Sequence, residues 1–219
     1  MPSYSYKNIQ DRIADELNRT DLTAQIKKAI VSAIEHYERE RWWFEETIDT
    51  SVSCTPAQNY VTNAVISSMA HIDLVQLTVG GSKYTVEDKP YDMFAVFTAT
   101  STTSGQPSIR SYYGDKLYLF PTPGSAYALT ISGVQRLTTL SGDSDSNGFT
   151  NYCEELIRQR AKADLRINIL LDEKALSEAA QLGANGATFL SGMERSAYVN
   201  VGRERDQRVM TGRQRAYYL

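Results

Sequence analysis

Apolar residues recur along this chain at two different spacings, and the spacing switches twice. From Tyr6 to Arg19 the residues Ile9, Ile13 and Leu17 fall four apart, which predicts a helix with one apolar stripe. A second helix is predicted from Asp21, taken as its N-cap, with Leu22, Ile26, Ile30, Ala33, Ile34 and Tyr37 on one face. The two form an αα-hairpin. At "RERWWFEETIDTSVSC" helical spacing gives way to the alternation of a strand from about Phe44 to Ser53, so Arg41, Trp42, Trp43 and Phe44 stand at a helix-to-strand junction.

From there to about Leu140 the pattern is that of strands. "HIDLVQLTVGGSKYTVE" is two runs about Gly80-Gly81, a hairpin signal. "SIRSYYGDKLYLFPTPGSAYALTISGVQRL" is three more runs, turned at Gly114-Asp115 and at "PTPGS", with Leu117, Leu119, Tyr127, Leu129 and Ile131 on the apolar side of an antiparallel sheet. Between these sets "KPYDMFAVFTA" is a short helix and "TATSTTSGQP" a polar loop. Helical spacing then returns: a long helix to about Leu171, capped by Asn151 or Thr150, with Glu154 and Glu155 at its positive end, and an Ala-rich helix from Glu173 to about Ala187. The last twenty residues show no apolar period and read as an extended arm.

The expected fold class is therefore α+β, with a helical bundle built from both ends of the chain and an antiparallel β module inserted in it. The segments are 1–43 (helical hairpin), 44–149 (β module), 150–198 (C-terminal helices packing on the hairpin) and 199–219 (arginine-rich arm).

Composition narrows the class. The 219 residues are 42% hydrophobic, enough for a core, with no apolar leader and no run of membrane-span length, so a folded soluble protein is expected. Cys54 and Cys153 lie about a hundred residues apart without metal-type spacing; buried thiols are the default, and a disulfide between them stays open. The net charge of −3 gives no general case for nucleic acid, but the distribution is uneven: Arg203, Arg205, Arg208, Arg213 and Arg215 face only Glu204 and Asp206, and no lysine follows Lys174. That arm, ending in Tyr217, Tyr218 and Leu219, suits docking into a partner; a solvated tail or phosphate contact along DNA are the other readings.

"DSDSNGFTNYCEE" fits a calcium-loop pattern, with Asp143, Asp145, Asn147, Gly148 and Glu154 in ligand positions. The preceding "YALTISGVQRL" is strand-like where an EF-hand requires a helix, so a solvated β-to-helix connection is expected. His36 and His71 lack ligand spacing, and no nucleotide or nucleophile fingerprint occurs; "VGGSKYT" is a hairpin turn. No catalytic, cofactor or metal residue is nominated. The tryptophan pair is either a binding platform or the filling of the joint between the helical and β parts.

Two segments, "AIVSAIEHYERERWWFEET" and "YYGDKLYLFPTPGSAYALTISGV", the second a strand pair around Pro-x-Pro-x, together with the Glu-Glu-Leu-Ile helix start, resemble the head-to-tail adaptor (connector) proteins of tailed bacteriophages over about residues 6–170. The motif positions are Arg41, Trp42, Trp43 and Phe44 at the junction, and Gly114, Asp115, Pro121 and Pro123 at the turns. The resemblance implies a non-enzymatic virion protein of the neck, assembled in the host bacterial cytoplasm. It implies a homo-oligomeric ring, usually of twelve copies, beneath the portal protein, extending the channel for double-stranded DNA and giving the next tail or neck component its attachment surface. It also implies that the arm from Gly202 to Leu219 reaches the portal. The readings from other classes are a DNA-binding module and a calcium-binding one.

Overall fold

The computed structural model describes residues 4–101, 103–185 and 188–203. The class is α+β, and the chain divides into two compact units: the described parts of Met1–Trp43 and Leu137–Leu219, and Phe44–Arg136. Residues 137–149, assigned from the sequence to the β module, thus fall with the helical unit.

In the helical unit, α1 (Tyr6–Leu17) starts with a capping box between Ser5 and Asn8 and stops at Asn18, which takes a left-handed conformation and returns its N–H to Ala14 and Asp15. Helix α2 runs Thr23–Tyr37. Asp21 is not its cap: the N-cap is Leu22, and the Asp21 carboxylate is instead gripped by the Arg19 guanidinium at 2.7 Å on both oxygens. A bidentate arginine two residues away outcompetes the helix N–H groups for that carboxylate. Ile9 and Ile13 of α1 and Ile26, Ile30 and Ile34 of α2 are buried, and both helices pack against α6 (Glu154–Asn168), which contributes Leu156, Ile157, Ala161 and Leu165.

The helix expected from residue 150 to 171 is two helices. A short α5 (Gly148–Tyr152) precedes α6, and α6 ends at Asn168. The cap is Asn147, which forms a buried capping box with Thr150; Thr150 is the third residue of the turn, so neither it nor Asn151 opens the helix. After α7 (Glu173–Ala184), capped by Asp172, residues 192–203 form another helix, α8. The segment 199–203 is accordingly helical, where an extended arm was expected.

The β unit holds a seven-stranded sheet in the order β1-β9-β3-β4-β6-β7-β2, made of β1 (Glu46–Asp49), β2 (Tyr60–Val61), β3 (Met69–Val79), β4 (Ser82–Asp88), β6 (Ile109–Tyr113), β7 (Lys116–Phe120) and β9 (Ala128–Gln135). A short α3 (Ala64–Ser68) leads into β3, and β5 (Ser104–Gly105) pairs with β8 (Thr122–Pro123). Both predicted hairpins form, and all four turn residues, Gly80, Gly81, Gly114 and Asp115, have positive φ, as tight two-residue turns require.

The seven-stranded sheet is mixed, and the expectation of an antiparallel module fails at two pairings, β4 with β6 and the short β5 with β8. Strands β4 and β6 run parallel because the connection between them contains α4 (Tyr91–Thr100), and a helical crossover returns the chain in the same direction. The runs flanking "PTPGS" are also not partners. β7 pairs with β6 and β2, while β9 pairs with β3 and β1, so the proline segment is a passage across the sheet rather than a hairpin turn. Val75, Leu77, Leu117, Leu119, Leu129 and Ile131 meet in one core. Gly133 is needed where β9 crosses a bulge in β3: a Cβ there would lie 2.2 Å from the His71 carbonyl oxygen. No helix among the described residues is long and apolar enough to cross a membrane.

Candidate functional site

The tryptophan junction and α8 form one aromatic and ionic anchor within the helical unit. Trp42, only 7% exposed, donates its indole N–H to the Tyr37 carbonyl at 2.7 Å, which at the end of α2 also accepts the Glu40 N–H at 3.0 Å. Its ring lies edge-on to Tyr37, Phe149 and Tyr198 at 5.6–6.2 Å. Trp43, half-buried, packs on Tyr152 at 4.5 Å. Arg41 is exposed and Phe44, half-buried, opens the β unit. Trp42 is thus core filling in this unit and not a surface platform.

At the centre of the anchor is Glu194, which is fully buried. Its carboxylate accepts from the Tyr37 hydroxyl (2.6 Å), the Arg160 guanidinium (2.9 Å) and the Leu190 N–H (2.6 Å). Arg160 also donates to the Thr188 carbonyl and lies 3.4 Å from the Nδ1 atom of His36. Burial, reinforced by the Glu194 hydrogen bond, raises the Tyr37 pKa far above the usual phenol value. Burial and the Arg160 charge lower that of His36. Glu194, Ala197, Tyr198 and Val201 line the inner face of α8; the Tyr198 hydroxyl donates to Glu40 at 2.7 Å, and its ring meets Tyr37, Trp42 and Phe189.

The sequence carries a signal for this helix. Ser191-Gly-Met-Glu194 is a capping-box pattern, the Ser191 hydroxyl accepts from the Glu194 N–H at 3.1 Å, and the stripe of positions 194, 197, 198 and 201 follows at helical spacing. A cleft of about 80 Å³ opens beside Trp42, Trp43, Tyr198, Val201 and Gly202. Of the residues assigned to the arm, Arg203 is helical and exposed. Arg205, Arg208, Arg213, Arg215, Tyr217, Tyr218 and Leu219 lie outside the described residues.

The acidic loop is used for helix ends. The carbonyls of Asp145 and Asp143 accept the Tyr6 and Lys7 N–H groups at 2.8 and 2.9 Å, the first open donors of α1. The Asp145 side chain accepts from the N–H groups of Ser141 and Gly142, which hold its carboxyl below the usual range; Asp143 is lowered by Lys27 at 3.0 Å. Glu154, in the closing position of the calcium pattern, is 8% exposed and held by Arg12 and Arg158, each at 3.0 Å. Arg158 also pairs with Glu16, which further binds Lys162 at 2.6 Å, so α1 and α6 are tied by a charged network. Burial raises the Glu16 pKa, and the Lys162 hydrogen bond and Arg158 charge outweigh it, leaving that carboxyl lowered. Among the described residues no group of three or more His, Cys, Asp or Glu side chains is arranged to hold a metal ion. Cys54 and Cys153 are buried thiols, not joined in a disulfide.

What the described residues offer is therefore surfaces and anchors. Comparison with known proteins agrees in kind: a family model described as SU10 adaptor protein matches residues 4–214, nearly the whole chain. No curated protein matches it.

Proposed function

This chain belongs to the SU10 adaptor protein family of phage head-to-tail adaptors, and from that premise we propose that it forms a homo-oligomeric ring beneath the portal. In this role the ring continues the channel for double-stranded DNA and presents the attachment surface for the next tail component. The work is done by assembly and not by catalysis. The observation that carries this reading is the family match over residues 4–214. The anchor around Glu194 supports it: α8 is locked to α2 and α6, so the arginine-rich segment after Arg203 starts from a fixed point. A segment launched from a rigid base loses less conformational entropy on docking than one attached to a mobile base.

The test is mass measurement by light scattering, with the protein alone and mixed with its cognate portal ring. A closed ring, or a fixed multiple of chains on the portal, is expected. A monomer that ignores the portal would refute the reading. Truncation after Arg203 should keep the helical unit folded and abolish portal docking; full docking by the truncated chain would remove that role from the arm.

A further inference from the structure

We propose that neighbouring copies of this chain join through their helical units, the outer face of α8 on one copy docking into a cleft beside α2 on the next. The inference rests on the ring reading above.

A cleft of about 90 Å³ lies between the C-terminal half of α2 and the segment that leads into the acidic loop. Its floor is apolar: Ile34 and Leu140 are buried and Val31 is half-buried. Glu35 and Glu38 are the charged residues of its lining, and neither side chain makes a hydrogen bond or ion pair among the described residues. Partial burial, and then the Glu35 charge, raise the Glu38 pKa, as befits two carboxylates that share a site without a cation. The cations nearby in sequence do not serve them. Lys27 is held by Asp143, and neither Lys28 nor Arg39, four residues on from Glu35, forms an ion pair with either. Two carboxylates over an apolar floor suit a guanidinium carried beside an apolar side chain.

Helix α8 offers that combination. Its inner face is occupied by the anchor, and on the opposite face Arg195, Val199 and Arg203 recur at intervals of four. Val199 is 42% exposed, both arginines are exposed, and neither guanidinium has a partner among the described residues. The carboxylates around this helix are engaged elsewhere: Glu194 is buried on the inner side, Glu40 accepts from Tyr198, and Glu178 accepts the Gly192 N–H. Glu204 and Asp206, which follow Arg203, lie outside the described residues.

The spacings match as well as the charges. Val31 precedes Glu35 by four residues on α2, and Val199 stands four from each arginine on α8, about 6 Å along either axis. With Val199 seated on Val31, an arginine falls opposite Glu35 whichever way the two helices run. The cleft and the α8 face are unlike surfaces of one chain, so the contact is heterologous, and repeated about an axis it closes a ring. Like charge keeps either face from pairing with its own copy.

Charge reversal is the test. Glu35→Arg with Glu38→Arg makes the cleft basic, and Arg195→Glu with Arg203→Glu makes the α8 face acidic. Each pair should weaken assembly by about 100-fold or more, read by light scattering as rings of the protein alone or as copies bound to the portal ring. Mixed in equal amounts, the two variants should assemble again, because every contact between unlike copies joins opposite charges. A chain carrying all four changes should assemble by itself. The four residues are exposed, so melting temperatures near that of the parent chain are expected. For a reversal variant that melts well below it, Glu35→Gln with Glu38→Gln reads the same contact without an added cation and should weaken assembly about 10-fold. Assembly that survives reversal of either face, or a mixture that stays monomeric, would overturn the proposal. So would loss on reversing the cleft alone, which would give the cleft to another occupant, the segment after Arg203 or the portal. All these results leave the adaptor reading standing. A parent chain that stays monomeric alone and ignores the portal would overturn the ring reading itself, and this contact with it.

Discussion

Replacing Glu194 with alanine should uncouple α8 from the rest of the helical unit. The substitution takes one acceptor group from three donors: the Tyr37 hydroxyl, the Arg160 guanidinium and the Leu190 N–H, at 2.6, 2.9 and 2.6 Å. The Arg160 side chain is 16% exposed and would keep its charge without its carboxylate. Breaking a buried pair from one side costs about 3–5 kcal/mol, against a total stability of roughly 5–15 kcal/mol. Glu194→Gln keeps the shape and an acceptor oxygen, and should cost less, about 1.5–3 kcal/mol. Urea denaturation followed by tryptophan fluorescence reads this directly, because Trp42 and Trp43 are the only tryptophans and both lie in the helical unit. At a slope of ~2 kcal/mol per M, the alanine variant should lower the midpoint by about 1.5–2.5 M. Limited proteolysis should also cut between Leu190 and Arg203 in the alanine variant before it cuts elsewhere. A midpoint shift worth under about 1 kcal/mol would refute the reasoning. So would an alanine variant no worse than the glutamine one, since the acceptor oxygen that glutamine keeps would then be irrelevant.

Three further outcomes are expected. Asn147→Ala should cost about 1–2 kcal/mol by uncapping α5, while millimolar calcium should leave the melting temperature of the parent chain unchanged; a calcium-dependent rise would restore the metal reading of the loop. The lowered pKa of His36 means that the unfolded chain takes up the proton first, so stability should fall as the pH drops below about 6.5, and His36→Gln should flatten that window; an unchanged slope in the variant would show that the titration belongs elsewhere. Gly133→Ala should destabilise the β unit by about 3 kcal/mol or more in thermal unfolding, because the methyl group would meet backbone at the β3 bulge; a loss under about 1 kcal/mol would mean that β3 can shift away.

The parts of the fold legible in the sequence are those set by local physics. The Ile9 and Ile13 stripe, the α2 face and the two hairpin turns each follow from residues within one element, and each is found. What was not legible depends on competition between possible partners, near or distant. Spacing alone does not say that Arg19, two residues away, takes the Asp21 carboxylate before the helix does. Nothing in the β4 and β6 runs says that they are neighbours, since the pairing is decided by where the α4 crossover lands. The anchor divides the same way. Ser191, Glu194, Ala197, Tyr198 and Val201 carry a readable helix signal, hidden by the polar, arginine-rich segment that follows. That Glu194 would be buried against Tyr37 and Arg160 depends on contacts over more than 150 and about 30 residues of chain, which no spacing reveals.

The acidic loop shows why a motif and a site differ. Alternating Asp, Asp and Asn before a glycine suits a cation because it gathers oxygen acceptors in a tight turn, and the start of a helix needs the same acceptors for its open N–H groups. Here the second demand is met from three sides at once: two loop carbonyls serve α1, Asn147 serves α5, and the Asp145 carboxylate closes the loop on itself. An ion bound in the pattern's positions would have to take Asp145 from two backbone donors, Asp143 from Lys27, Asn147 from its capping box and Glu154 from two arginines. Each exchange leaves a donor or a buried charge unpaired, and unpaired groups cost more than exposed carboxylates gain from a cation that water also solvates. The same residues that would make a calcium loop in isolation therefore hold the first helix of the unit to the one that follows the β strands.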